Sequence, residues 1–464
     1  MSVLSDVVSQ RLCIGCGACV SVCPRSRLVV DWNPRGELSA RSVAGTVCAS
    51  GCNRCMRVCP FGDYEPDETS LAAELFEGDT TTNHEVLGRY RSLRVARVAD
   101  PAVLASSASG GAVTWLLQRL FERDEIDSAL CVKAFDGELA VDRMYGYAVL
   151  RSIPEIQDAS SSAYYPVTLA DVIEELSHGT DRVAVVGLPC FIKAIRRLQK
   201  VSPALKERTI FCIGLACGQS KSVMFTDFIA GVARSEAGPP NGVRYRFKPS
   251  EGDAGDFSFK FEWADGGVGS LRWTQGIGDA WSLRLFTPRA CGFCDDVFAE
   301  TADVCTMDAW THPWRADHRG TSFVIARAAY VEGLFAEGHG LDLNELVDQA
   351  VVVRSQSSVV RDKSAGVAVR SRIHRCDYLR VPLKRPLRLA TASAVEALRW
   401  RMADNARAVS AGSWMRRCST RDVRSATRVS RWVVGTSRWL ELLIVRMRSA
   451  AGNAVRFCIR GKRA

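Results

Sequence analysis

Between residues 93 and 335 the chain alternates two kinds of hydrophobic pattern. Apolar positions recur at helical spacing over residues 110–123, 168–178, 191–200 and 222–235. Shorter apolar runs over residues 126–133, 182–187 and 209–215 read as strands, the second a buried one. Strands alternating with helices predict βαβ units. From residue 242 to residue 275 the pattern changes. Gly-rich turns separate 244–248, 256–263 and 268–274, which predicts an antiparallel insertion. Residues 302–310 and 322–328 return to strand-like patterns. The expected core is α/β, a mixed, largely parallel sheet with an antiparallel insertion.

The flanks read differently. Residues 67–92, an acidic, Thr-rich stretch and then His84 to Tyr90, suit a connecting segment. Residues 336–464 form a basic, mainly helical C-terminal region, with no proline after Pro386. On a helical wheel Arg417, Arg424, Arg428, Arg431, Arg438 and Arg446 share one side. Trp432, Val433, Trp439, Leu440, Leu443, Ile444 and Met447 share the other. Such a helix packs its apolar side on protein or lies on a membrane surface. Arginine alone does not indicate DNA, so nucleic acid is not an expected partner.

Composition and charge sharpen this. The 464 residues suffice for two or three domains with sizeable cores. The formal net charge of +10 is uneven: residues 354–464 carry 26 Lys+Arg against 6 Asp+Glu, so the rest is net negative. No long apolar segment opens the chain and no 18-residue apolar run occurs, so neither a signal peptide nor a membrane span is expected. Eighteen cysteines in such a chain argue for metal ligation in a reducing compartment. The expected location is the cytoplasm; packing or partner docking is the first expectation for the tail, and peripheral membrane contact the alternative.

Two cysteine runs carry the chemistry. The first is Cys13-x2-Cys16-x2-Cys19-x3-Cys23-Pro24, the bacterial two-cluster ferredoxin spacing. The second is Cys48-x3-Cys52-x2-Cys55-x3-Cys59-Pro60, one residue longer between its first two members. Three neighbouring thiolates hold three corners of a [4Fe–4S] cube, and the thiolate before Pro reaches the other cube. Cys13, Cys16, Cys19 and Cys59 are therefore expected on cluster one. Cys23, Cys52 and Cys55 are expected on cluster two, with Cys48 the nearby candidate for its last corner. A zinc site wants four ligands in two pairs and fits eight cysteines poorly. Residues 1–66 thus read as a small α+β ferredoxin-like module.

Four further cysteines follow strands. Cys190 stands in Gly187-Leu188-Pro189-Cys190 and Cys217 in Leu215-Ala216-Cys217-Gly218; Cys291 and Cys294 form a C-x2-C pair. Ligands converging from strand ends are how an α/β sheet builds a site. Four cysteines would hold a third cluster; they would equally serve as small buried hydrophobes. The residues alone leave both readings open. Cys131, Cys212, Cys305, Cys376, Cys418 and Cys458 read as the second kind.

Ser109-Gly110-Gly111 with Thr114 and Leu116-Leu117 opens a series of short blocks. Ser161-Ser162-Ala163-Tyr164-Tyr165-Pro166-Val167 follows, then the Cys190 and Cys217 blocks. Cys291-x2-Cys294-x-Asp296, Glu300-x-Ala302-Asp303, Asp308-Ala309-Trp310 and Gly320-Thr321-Ser322 complete it. In that order they resemble the family of coenzyme F-420 hydrogenase/dehydrogenase beta subunits, over residues 97–328. The resemblance implies an iron–sulfur flavoprotein oxidoreductase whose core domain, residues 93–335, binds FAD and a third [4Fe–4S] cluster. Electrons would pass between a hydride carrier such as reduced coenzyme F-420, the FAD, three clusters and a redox partner protein or organic acceptor. Ser109, Gly110, Gly111 and Thr114 would meet the FAD pyrophosphate; Ser161, Ser162, Tyr164 and Pro166 would face its ring or ribityl chain. An ordinary N-cap and an ordinary surface turn are the plain alternatives. No catalytic acid or base is identified.

Three positions depart from the family. A lysine is usual at Ala163, a glutamine often follows Pro-Cys at Phe191, and a glycine usually stands at Met307. They motivate a second reading: an electron-relay or scaffold subunit without hydride chemistry, associated with polysaccharide biosynthesis. Other chemistries lack their motifs. There is no G-x-G-x-x-G after a strand, no Walker loop, no H-E-x-x-H and no G-x-S-x-G. The six histidines are dispersed; His312 and His318 are ordinary loop residues or proton carriers.

Overall fold

The computed structural model describes residues 1–62, 66–77, 82–136, 142–234, 238–373 and 394–418. The N-terminal module is built on an antiparallel hairpin of β1 (Leu28–Trp32) and β2 (Leu38–Ser42), with Val30 opposite Ala40. Two one-turn helices, Ala18–Ser21 and Arg54–Val58, accompany it. The stretch expected as a connector folds. It contains the helix Glu68–Leu75, capped by the Asp67 side chain on Ser70 N, and a small hairpin of β3 (Thr82–His84) and β4 (Gly88–Tyr90).

The core is one eight-stranded sheet made of β5 (Ser92–Val98), β6 (Ser128–Ala134), β7 (Tyr145–Leu150), β8 (Val183–Gly187), β9 (Thr209–Leu215), β13 (Val304–Asp308), β14 (Ser322–Ala326) and β15 (Leu341–Leu346), in the spatial order β15-β5-β14-β13-β9-β8-β6-β7. The insertion between β9 and β13 forms its own antiparallel sheet from β10 (Gly242–Phe247), β11 (Ser258–Glu262) and β12 (Val268–Arg272), as its Gly-rich turns predict.

Only β6, β8, β9 and β13 pair in parallel. The other four pairings of the large sheet are antiparallel. The sheet is therefore mixed with a parallel centre, less parallel than expected. Antiparallel neighbours need no crossover helix, so the alternation of strands and helices does not announce β5, β7 and β15. Every residue of β8 and β14 is buried, as central strands require. The sheet reaches Leu346, past the boundary drawn at residue 335. Of the helix expected over 168–178, only Ile173–His178 forms; ahead of it Leu169 N bonds Cys16 O of the module at 3.0 Å.

The module is docked, not tethered. Its apolar residues Val7, Leu12, Met56 and Phe61 join Leu169, Phe191, Ile195 and Phe298 in one buried cluster. Val223 N bonds Gly36 O at 2.9 Å. Arg197 donates to Cys59 O at 2.5 Å and Pro66 O at 3.0 Å, and buried Lys193 pairs with Glu68 at 2.9 Å. A chain of short helices, Gln349–Ser355, Ser357–Arg361 and Val367–Ile373, then returns over the core, and Ala394–Cys418 follows. Most of the arginine-lined helical face, from Arg424 onward, lies outside the described residues. No helix among those described is long and apolar enough to cross a membrane.

Candidate metal centres and the adjoining cavity

Cys13, Cys16, Cys19 and Cys59, the set expected on cluster one, line one small cavity walled by Val3, Val7 and Leu12. Cys59 comes from the second run and closes the set from the far side. Gly15 N and Ala40 N both donate to Cys13 Sγ at 3.4 Å. Burial, then the charge on Cys13, pushes the Cys59 thiol up to about 12; burial likewise raises Cys16 and Cys19. Bare thiolates would repel one another here, so the cavity suits a group that supplies positive iron. In the outer set Cys55 is raised by burial and by the charges of Cys48 and Cys52. Cys48 is exposed. Cys23 Sγ accepts from Arg27 N at 3.4 Å, and its membership of that set rests on spacing.

The third set also converges. Cys190 is the second residue of the helix Pro189–Val201, Cys217 follows β9, and Cys291 lies in the tight turn Arg289–Gly292 with Cys294 just beyond. All four line one cavity of about 50 Å³, together with Cys13, Asp296 and Lys363. Cys217 N bonds Val297 O at 2.9 Å, and Ser220 N donates to Cys291 Sγ at 3.4 Å, so the two cysteine loops brace each other. Burial pushes the Cys217 thiol up to about 12. Among the described residues no three His, Cys, Asp or Glu side chains close on one point as a single metal ion requires. The inner module set and the core set line cavities instead, the arrangement a polynuclear cluster fits. Cys131, Cys212 and Cys305 are buried in the core, as their reading as small hydrophobes implies.

Beside this site opens a cavity of about 880 Å³. Ser109, Gly111, Thr114, Ser161, Ser162 and Tyr164, six of the eight residues expected at FAD, line it. Two expected residues do not. Gly110 is packed beneath it: a Cβ there would stand 2.5 Å from Ala96 O, and its N–H goes to Ser322 Oγ at 3.1 Å. Pro166 faces the cysteine cavity instead. The helix Ala112–Glu122 starts at Gly111, φ +77°, without a side-chain cap, and its first turn lines the cavity. Uncapped amides at that end suit a pyrophosphate.

Other wall residues, Asp308 and Trp310 apart, gave no signal in the sequence. Arg246 pairs with Asp308 at 2.7 Å and donates to Tyr164 Oη at 3.4 Å. Trp273, Trp281, Trp310 and Phe257 form an aromatic side. Lys221 is buried, donates to Leu285 O at 2.9 Å and lies 4.6 Å from the Trp281 ring centre; burial pushes its pKa well down. It lines both this cavity and the cysteine cavity. Ala163, Phe191 and Met307 all face the large cavity too. His318 borders a smaller pocket beside Arg246.

Known proteins match along these lines. The model described as "Coenzyme F-420 hydrogenase/dehydrogenase, beta subunit N-term" matches residues 94–174, and its C-terminus counterpart matches 180–347. A 4Fe-4S dicluster domain matches residues 12–62. The chain is 25% identical over 226 residues to a subunit of the F(420)H(2) dehydrogenase of Methanosarcina mazei, covering 47% of this chain and 56% of that protein. It is 25% identical over 196 residues to coenzyme F-420-dependent sulfite reductase of Methanocaldococcus jannaschii, covering 42% of this chain and 26% of that protein. The beta subunit of coenzyme F-420 hydrogenase of Methanococcus voltae is 23% identical over 302 residues, 61% of this chain and 98% of that one. The first two relatives are thus spanned only in part. A chain of the xenon-derivatised F-420-reducing [NiFe] hydrogenase complex from Methanosarcina barkeri superposes with TM-score 0.48 and 17% identity, over 64% of this chain and 97% of that one.

Proposed function

The chain belongs to the family of coenzyme F-420 hydrogenase/dehydrogenase beta subunits and carries an N-terminal 4Fe-4S dicluster domain; from that premise we propose that it is a flavin-dependent oxidoreductase with three [4Fe–4S] clusters. One observation carries this reading. The four core cysteines line a cavity that Cys13 of the N-terminal module also lines, directly beside a cavity large enough for FAD. A flavin bound there would supply two-electron hydride chemistry towards an organic carrier and one-electron chemistry towards the clusters.

The residues divide the work. Cys13, Cys16, Cys19 and Cys59 would hold the inner module cluster, and Cys23, Cys48, Cys52 and Cys55 the outer one. Cys190, Cys217, Cys291 and Cys294 would hold the core cluster. Gly111 and Thr114 present the uncapped helix end to a pyrophosphate, and Ser109, Ser161, Ser162 and Tyr164 line the remaining wall. Arg246 fixes Tyr164 and Asp308 in place. The aromatic side excludes water from the reacting face. Reduced coenzyme F-420 is the proposed hydride donor, and a one-electron carrier protein or an organic molecule the acceptor.

The relay reading keeps one specific support: Ala163, Phe191 and Met307, where the chain departs from its family, all face the large cavity. Anaerobic purification separates the two. About twelve iron atoms and one FAD per chain, with flavin bleaching on addition of reduced coenzyme F-420, are the expected results. Full iron without flavin would reject the flavoenzyme. Bound FAD that ignores both reduced coenzyme F-420 and NADH would favour the relay.

A further inference from the structure

The C-terminal region beyond the family match is built into the redox site. Ser355 Oγ donates to Asp308 O at 3.2 Å and accepts from Trp310 N at 2.9 Å. Val359 packs on Gly218, next to Cys217: a Cβ on that glycine would lie 3.2 Å from Val359 Cγ1. Asp362 takes Arg284 at 2.5 Å and also Arg370. Arg370 in turn donates to Gly292 O, between Cys291 and Cys294, at 3.3 Å. Both core cysteine loops are therefore clamped from outside the family's length, and the next residue in this clamp is Lys363.

Lys363 is 3% exposed and lines the cavity shared by Cys190, Cys217, Cys291 and Cys294. Among the described residues it has no hydrogen bond and no ion pair. Its neighbour Asp362 is already taken by two arginines. The other charged side chains on that wall are also committed. Glu37 accepts from Asn33, Lys221 donates to Leu285 O, and Asp296 Oδ2 accepts from Glu300 N at 3.3 Å. Asp296 Oδ1 is buried without a hydrogen bond and is the one competing anion. A buried ammonium with no partner is costly, and such a group implies an anion that faces it.

We propose that Lys363 is the fixed counter-charge of the core cluster and holds its reduction potential up. The proposal rests on the reading of these four cysteines as cluster ligands. Its physical basis is simple: reduction adds a negative charge to the site, and a buried cation a few atoms away favours the more negative state with little screening. Asp296, on the same wall, acts in the opposite sense.

The test uses the full chain, purified anaerobically, as wild type, K363M and K363R, with iron counts and an EPR-monitored redox titration. K363M removes the charge at similar length. The expected result is wild-type iron in all three proteins. One of the three cluster midpoints moves to lower potential in K363M and returns towards the wild-type value in K363R. The outer module cluster, whose cysteines do not line that cavity, serves as the internal control and stays put. Loss of about four iron atoms in K363M but not in K363R supports the same role, as a charge needed for the cluster to sit. Unmoved midpoints with full iron overturn it, as does equal iron loss in both variants, which marks a packing role. A wild-type chain with only about eight iron atoms would overturn the core-cluster reading itself, a result distinct from unmoved potentials.

Discussion

Cys13 and Cys190 line the same cavity, although one belongs to the N-terminal module and the other opens a helix of the core. Cys13 also lines the cavity of Cys16, Cys19 and Cys59. One thiol thus stands between two proposed cluster sites, and the charge on Cys16 bears on Cys190. Contact of this kind is what single-electron passage between modules needs, and the buried Lys193–Glu68 pair and the Arg197 bonds hold it in register.

The cavities are separate enough to be emptied one at a time. Cys291→Ala should lose about four iron atoms of about twelve and keep the two module signals in the EPR spectrum. Equal iron in the variant and the wild type would remove Cys291 from the ligand set.

Docking of the module depends on a close backbone approach at Gly17. Its φ is +85°, and a Cβ there would lie 2.5 Å from Ala170 N. Neither backbone can give way easily, so Gly17→Ala should destabilise the chain by about 1–3 kcal/mol. The check is the unfolding temperature under anaerobic conditions; an unchanged value would mean the two segments separate without cost.

Much of this site was legible because cysteine spacing is a geometric code. The thiolate before Pro60 had to cross to the first set, and Cys59 does lie with Cys13, Cys16 and Cys19. Strand ends were equally readable, and Cys190 and Cys217 follow β8 and β9. The antiparallel pairings were not, since β5 and β15 meet across some 250 residues of sequence and leave no local period. Gly110 was misplaced because a Ser-Gly-Gly turn looks alike whether its amides face a ligand or, as here, Ser322. Lys363 gave no signal at all: one lysine in a basic tail is invisible until the tail folds back on Gly218 and Gly292.

Asp227 gives the fold a pH dependence away from the metal sites. It lies on the helix Val223–Ala233, and burial pushes its carboxyl up to about 7. The folded state therefore holds this proton more tightly than the unfolded chain, whose carboxyl titrates near 3.9. Its contribution to stability is full below about pH 4, fades as pH rises to about 7, and is then constant. Asp227→Asn should abolish that slope and stabilise the protein at pH 8 by about 4 kcal/mol. Denaturation midpoints of both proteins from pH 5 to pH 8 give the answer, and parallel curves would show that Asp227 is solvated.

The outer module site faces the solvent, which makes it the proposed exit to a carrier protein. Cys48 is exposed and Val47 is 72% exposed beside it. Arg25 donates to Val47 O, and exposed Arg54 and Arg57 flank Cys55. An apolar tip within a basic rim favours an acidic one-electron carrier, and rim charges act mainly on the rate of encounter. Reversing both charges in Arg54→Glu/Arg57→Glu should slow electron transfer to an acidic ferredoxin about tenfold at low salt. High salt should shrink the difference, because the Debye length falls to about 3 Å at 1 M. Stopped-flow traces across a salt series read both effects at once. A wild-type rate that does not fall with salt, together with an unaffected double variant, would move the exit to another face of the molecule.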